Sequence, residues 1–202
     1  MADEPDAGEE DVPQLELDPD TLALPPGIHA CSFEALEQLF VEEAPNQSER
    51  RVICGQLRLF VDQVRSLFPT ARFWVDGGFV THKAEAPFDV DVACIVDPAE
   101  YGGVAQAIIA EQAAIAAAMA AGDKPPKDVL TRRFASLWTH TNVDASRGGF
   151  PGASFPAVQP FGSFVDAYLA PDDPAVLAYW EDQWARHGDD YSEVKGFLEL
   201  AP

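Results

Sequence analysis

The stretch Arg72-Phe-Trp-Val-Asp-Gly-Gly-Phe-Val-Thr-His-Lys-Ala-Glu-Ala-Pro-Phe-Asp-Val-Asp-Val-Ala-Cys-Ile-Val96 decides how this chain is read. Its first five residues, Arg72 to Asp76, predict a short strand, and Gly77-Gly78 ends it. Glycines there permit positive φ and let a ligand approach the backbone closely. Amides exposed at such a turn cradle an anion, above all when a helix follows. Phe88 to Val96 alternates apolar and polar at first and then becomes wholly apolar, the pattern of a central strand. Asp89 and Asp91 are two apart on it, so both carboxylates point to one face. Carboxylates that close repel each other, and a divalent cation relieves the repulsion. Mg²⁺ suits the arrangement, because it takes a few carboxylates together with phosphate oxygens and water.

The same string resembles the signature of the nucleotidyltransferase superfamily, the DNA polymerase beta-like fold. That signature is a Gly-Gly or Gly-Ser turn, a spacer of roughly ten residues, then Asp-apolar-Asp. Here it takes the form Gly77-Gly78, ten residues, then Asp89-Val90-Asp91. Val75 to Lys83 and Pro87 to Asp91 are further similar to small nucleotidyltransferase-like proteins of bacteria and their phages. So are the flanking strings Pro25-Pro26-Gly27-Ile28-His29 and Val194-Lys195-Gly196-Phe197.

The resemblance implies transfer of a nucleoside monophosphate from an NTP to a hydroxyl acceptor, with two Mg²⁺ ions. Asp89 and Asp91 would hold the metal, and Gly77 and Gly78 would approach the phosphates. A third acid is implied on a neighbouring strand. Asp166, in the apolar frame Phe164-Val-Asp-Ala-Tyr168, is favoured over Asp144, in Thr139-His-Thr-Asn-Val-Asp144, because the sheet must hold such a ligand rigidly. The chain departs from the pattern at Gly78, where many members of the superfamily carry Ser. Thr81 and Lys83 are the candidates to replace the lost phosphate donor, although a solvated loop lysine is as good an account of Lys83. The alternative function is a non-catalytic interaction protein that keeps the fold and binds a protein partner, of a phage–host or toxin–antitoxin type.

Working outward, Ser32 is placed to cap a short helix carrying Phe33, Leu36, Leu39 and Phe40. A second helix is expected from Asn46 or Ser48 to Leu67, with Ile53, Leu57, Phe60, Val64 and Leu67 on its apolar face. Arg51, Arg58 and Arg65 recur every seven residues on another face, and a solvated or acid-paired stripe is the expectation. Val104 to Ala121 is alanine-rich and should be helical. Residues 146–163 read as an irregular loop and Phe164 to Leu169 as a strand. Ala175 to His187 reads as a helix presenting Trp180 and Trp184 on one face, and Tyr191 to Leu200 as an edge strand. The expected fold class is α/β (α+β), a mixed sheet with packed helices, over residues 21–202. Residues 1–20 contain nine acids and no base, and such a self-repelling segment is expected to be a disordered tail.

Charge narrows the partners. With 34 acidic and 13 basic side chains the formal net charge is -21. Binding to nucleic acid needs several Lys or Arg to displace counterions from phosphates, so general DNA or RNA binding is disfavoured, with tRNA left open through a local basic patch. Three cysteines without a CxxC pair, and no secretory signal, point to reduced thiols in a cytoplasm. The longest apolar stretch, Ala113 to Ala121, is too short for a membrane span, and no membrane partner is expected. The four histidines lack metal-finger spacing, and there is no P-loop or GxSxG elbow.

Overall fold

The computed structural model describes residues 15–137, 163–187 and 193–200. Residues 1–14, the segment 138–162 with Trp138 and Asp144, residues 188–192 and residues 201–202 lie outside them.

The chain forms strand β1 (Gly27–Cys31), then helix α1 (Phe33–Glu37), which continues as a π-helical turn over Gln38–Glu42. Ser32 caps α1 as expected, its hydroxyl accepting from the Ala35 amide at 3.2 Å. Helix α2 (Gln47–Arg65) buries Ile53, Leu57, Phe60 and Val64 on one face. Its arginine stripe is met locally. Arg51 pairs with Glu42 at 2.9 Å and Arg58 with Glu37 at 3.1 Å, while Arg65 lies over the Phe73 ring.

Strands β2 (Arg72–Asp76), β3 (Val90–Val96) and β4 (Val165–Pro171) follow, with α3 (Pro98–Ala121) and α4 (Leu130–Ala135) between the last two. Helix α5 (Pro174–Trp184) and the short strands β5 (Arg186–His187) and β6 (Glu193–Val194) lead to β7 (Gly196–Leu200). Five strands make one mixed sheet in the order β1-β7-β2-β3-β4, while β5 and β6 form a separate ribbon. β1 pairs parallel with β7 and β3 parallel with β4; β2 runs antiparallel to both of its neighbours. The chain is therefore a mixed α+β domain.

The sheet is covered on both faces. Phe73, Val75, Val92, Cys94 and Leu198 join the apolar face of α2 in one core. Trp74, Ala93, Ile95 and Phe197 pack on the other face with Trp180 and Trp184 of α5. The two helix tryptophans meet edge to face at 5.7 Å. Cover on both faces is why β3 reads as a continuous apolar run.

Four expectations are corrected. The chain's last strand is not at an edge, because β7 sits between β1 and β2. Phe197, Leu198 and Leu200 are all buried there, and Gly196 makes the close approach possible. A Cβ on Gly196 would stand 2.1 Å from the Pro25 carbonyl oxygen and 2.7 Å from His29 Nε2. Helix α3 begins at Pro98 rather than Val104, because Asp97 caps it, accepting from the amides of Ala99 and Glu100 at 2.7 and 3.1 Å. The resulting 24-residue helix is long and apolar enough to cross a membrane by length and composition. One such helix is a weak signal, and Tyr101, Val104 and Ile108 pack against the core. Helix α5 ends at Trp184, and Arg186–His187 turns into the β5–β6 ribbon. Residues 15–20 are part of the domain, since Leu15 and Leu17 pack on the core and Asp18 accepts from the amides of Asp20 and Thr21.

Candidate functional site: an acidic row across the sheet

The strand pairing creates the site. In the β2–β3 ladder Asp76 stands opposite Asp91, and in the β3–β4 ladder Asp91 stands opposite Asp166. Registered partners on adjacent strands share a face, so three carboxylates line up across three neighbouring strands, roughly 4.8 Å apart per step. They lie on the α5 face, whose row one step further along holds Trp74, Ala93 and Tyr168. Asp89 stands one residue before β3, and its charge acts on Asp91.

The electrostatics follow from this crowding. Burial pushes the Asp91 carboxyl up to about 7, and Asp76, Asp89 and Asp166 push the same way while Lys195 opposes them. The Asp89 carboxyl is also raised, first by burial and then by Asp166. Asp76, only 7% exposed, is raised by burial and drawn back by Lys195. Lys195 is itself 5% exposed and pairs directly with the Asp76 carboxylate. Tyr168 donates its hydroxyl hydrogen to Asp166 Oδ2 at 2.9 Å.

The glycine turn rests against the row. Gly77 has φ +85°, and a Cβ there would stand 2.1 Å from Asp91 Oδ2. No side chain fits, so only glycine allows the β2 turn to lie on that carboxylate. Gly78 opens a 3₁₀ turn (Gly78–Val80) whose three residues are too few for a useful helix dipole. The Gly77 amide is already spent on the Asp76 carboxylate. A Cβ on Gly78 would meet only Pro87, at 3.9 Å, so a serine has room.

Thr81 is buried, and its hydroxyl donates to the Gly78 carbonyl at 2.9 Å, which commits it to holding the turn. Lys83 is exposed on the loop that leads to β3. A buried clamp fixes this loop from behind. Arg50 of α2 is 0% exposed and donates to the carbonyls of Pro45, Phe40, Phe79 and Thr81 at 2.6–3.1 Å. Asn46 donates to the Ala84 carbonyl at 2.9 Å, and His82 Nε2 bonds the Leu39 carbonyl at 2.8 Å.

The structure therefore brings Asp89, Asp91, Asp166 and Gly77 together, with Gly78 beside them, and turns Thr81 toward the backbone. Asp144 lies outside the described residues. The sequence reading missed Asp76, Lys195, Tyr168 and Arg50. Lys195 left a faint signal, a lysine two residues before the apolar Phe197-Leu198 of β7. Asp76 left another, an acid immediately before the glycine pair.

The donors fit a hard cation by chemistry, because all are carboxylate oxygens. As placed, no three His, Cys, Asp or Glu side chains among the described residues converge closely enough to hold a metal. Binding an ion would require the carboxylates of Asp89, Asp91 and Asp166 to turn toward a common point.

A mixed sheet with helices on both faces, carrying a buried acidic row beside a glycine turn, defines an α+β domain with a candidate cation- or phosphate-handling site. The chain belongs to a family of unknown function, DUF6932, whose profile matches residues 15–201. No curated protein and no solved structure matches it significantly.

Proposed function

We propose that the protein is a Mg²⁺-dependent nucleotidyltransferase that moves a nucleoside monophosphate from an NTP to a hydroxyl acceptor. The observation that carries this reading is the register row of Asp91 and Asp166, with Asp89 beside them, against the Gly77 turn. Carboxylates in such a row would suit a divalent ion, and the ion would supply positive charge for the phosphates of a nucleotide. When bound, Mg²⁺ would stabilise charge on the triphosphate. Asp89, Asp91 and Asp166 would hold it. Asp166, hydrogen-bonded by Tyr168, would also take the proton of the acceptor hydroxyl. The bond formed is acceptor oxygen to α-phosphorus, and the bond broken releases pyrophosphate.

Calorimetry with each NTP, with and without Mg²⁺, tests the proposal. Metal-dependent nucleotide binding is expected in the wild type and should be lost in Asp89→Asn and Asp91→Asn, both of which should stay folded. Gly78 and the commitment of Asp76 to Lys195 favour the second reading, a non-catalytic member that binds a protein partner. Absence of any Mg²⁺-dependent nucleotide binding in the wild type, with the fold intact, would select it.

A further inference from the structure

We infer that Phe88 is a stacking contact for the planar ring of the ligand at this site, the base of the nucleotide. This rests on the nucleotide reading above. Phe88 is 78% exposed, the largest exposure of any big apolar side chain among the described residues. It is also the one phenylalanine among them that is neither buried nor half-buried. A phenyl ring left in water forgoes the stabilisation of burial. Single exposed apolar residues are ordinary, so its place in the fold is what singles it out. Pro87 stands against the glycine turn, 3.9 Å from where a Cβ on Gly78 would be. Asp89 follows directly, at the entry to β3, where the Val90 amide donates to the Phe164 carbonyl at 3.1 Å. Phe88 thus sits between the turn and the acidic row, and consecutive Cα atoms are only about 3.8 Å apart. A nucleotide held at the row would carry its base within reach of this ring.

The loop that carries Phe88 is tied down. Arg50 holds the Thr81 carbonyl, His82 bonds the Leu39 carbonyl, and Asn46 holds the Ala84 carbonyl. A contact fixed in this way loses little freedom when a ligand arrives. The ring also stands without apolar company on its loop, since Lys83 to Ala86 is an exposed run of Lys, Ala, Glu and Ala. A protein interface needs roughly 800 Å² from each partner. Stacking a base needs one ring, and every base has a π-face to offer.

Calorimetry on the full chain tests this, with ATP, GTP, CTP and UTP as probes, each with Mg²⁺. Phe88→Ala, Phe88→Leu and Phe88→Trp are compared with the wild type. The position is exposed, so all three should melt with the wild type; should one melt early, the other two decide. Phe88→Ala and Phe88→Leu should weaken binding about tenfold, and Phe88→Trp should hold or tighten it. Wild-type affinity in Phe88→Ala overturns the inference and leaves the ring to a protein partner, with the nucleotidyltransferase reading intact. Full affinity in Phe88→Leu, or a loss in Phe88→Trp equal to that in Phe88→Ala, also overturns it, because the π-face would then not be what counts. If the wild type binds none of the four, the nucleotide reading and the inference fall together.

Discussion

Asp91 is where burial and repulsion meet. Its carboxyl, near 3.8 in the unfolded chain, is pushed up to about 7 in the fold. Between those values the folded state holds a proton that the unfolded state has released, so the contribution to stability is lost as pH rises through the window. Asp91→Asn removes that penalty. Without metal it should raise stability at both pH 5 and pH 8, on the order of 1 kcal/mol at pH 5 and about two to three times that at pH 8, where the whole window has been crossed. Thermal melts in EDTA at the two pH values measure this, and an equal gain at both would mean that Asp91 is not the group titrating. The glycines give a sharper contrast. Gly77→Ala must place a methyl group on the Asp91 carboxylate at positive φ, and should cost at least about 2 kcal/mol in urea unfolding. Gly78→Ser has room and should stay within about 0.5 kcal/mol. On the proposed function it should also tighten triphosphate binding. The pair Gly77-Gly78 reads as two similar residues in the sequence, but only the first is sterically required.

Elements with strong local periodicity were legible before the structure. Helix α2 announces itself through Ile53, Leu57, Phe60 and Val64, and β3 through its apolar run. β1 was missed because Gly27 to Cys31 is a short, mostly exposed strand whose partner, β7, lies at the far end of the chain. The acidic row was legible only at the start of β3, where Asp91 follows closely on Asp89, which stands one residue before the strand. Asp166 was placed on a strand, but its alignment with Asp91, like that of Asp76, depends on register between strands, which local patterns do not encode. The acidic leader shows the same limit. Charge made residues 1–20 look uniform, yet Leu15 and Leu17 pack on the core. Deleting residues 1–14 should leave the melting temperature nearly unchanged. Deleting residues 1–20 should cost about 1–3 kcal/mol through those two leucines, seen as a drop of several degrees. Equal melting temperatures for the two truncations would show that the contacts contribute nothing.

Across the whole molecule, the three cysteines are free and buried. Burial pushes the thiols of Cys31 and Cys54 up to about 12, and that of Cys94 well above its ordinary value. Thiols held protonated are poor nucleophiles. The native protein should therefore resist DTNB at pH 8, and all three should react in guanidinium; prompt labelling of the native protein would mean that the cores open readily. The sheet order carries a consequence for how the protein is made. β7 fills the gap between β1 and β2, so during synthesis both strands wait with open edges until residues 193–200 emerge. Lys195 arrives with the same segment, so Asp76 has no counter-ion before then. A nascent chain can close its sheet and give Asp76 its counter-ion only after residues 193–200 have left the ribosome. A product truncated ahead of Glu193 would present two unpaired strand edges to proteases rather than persist as a shortened, competent protein.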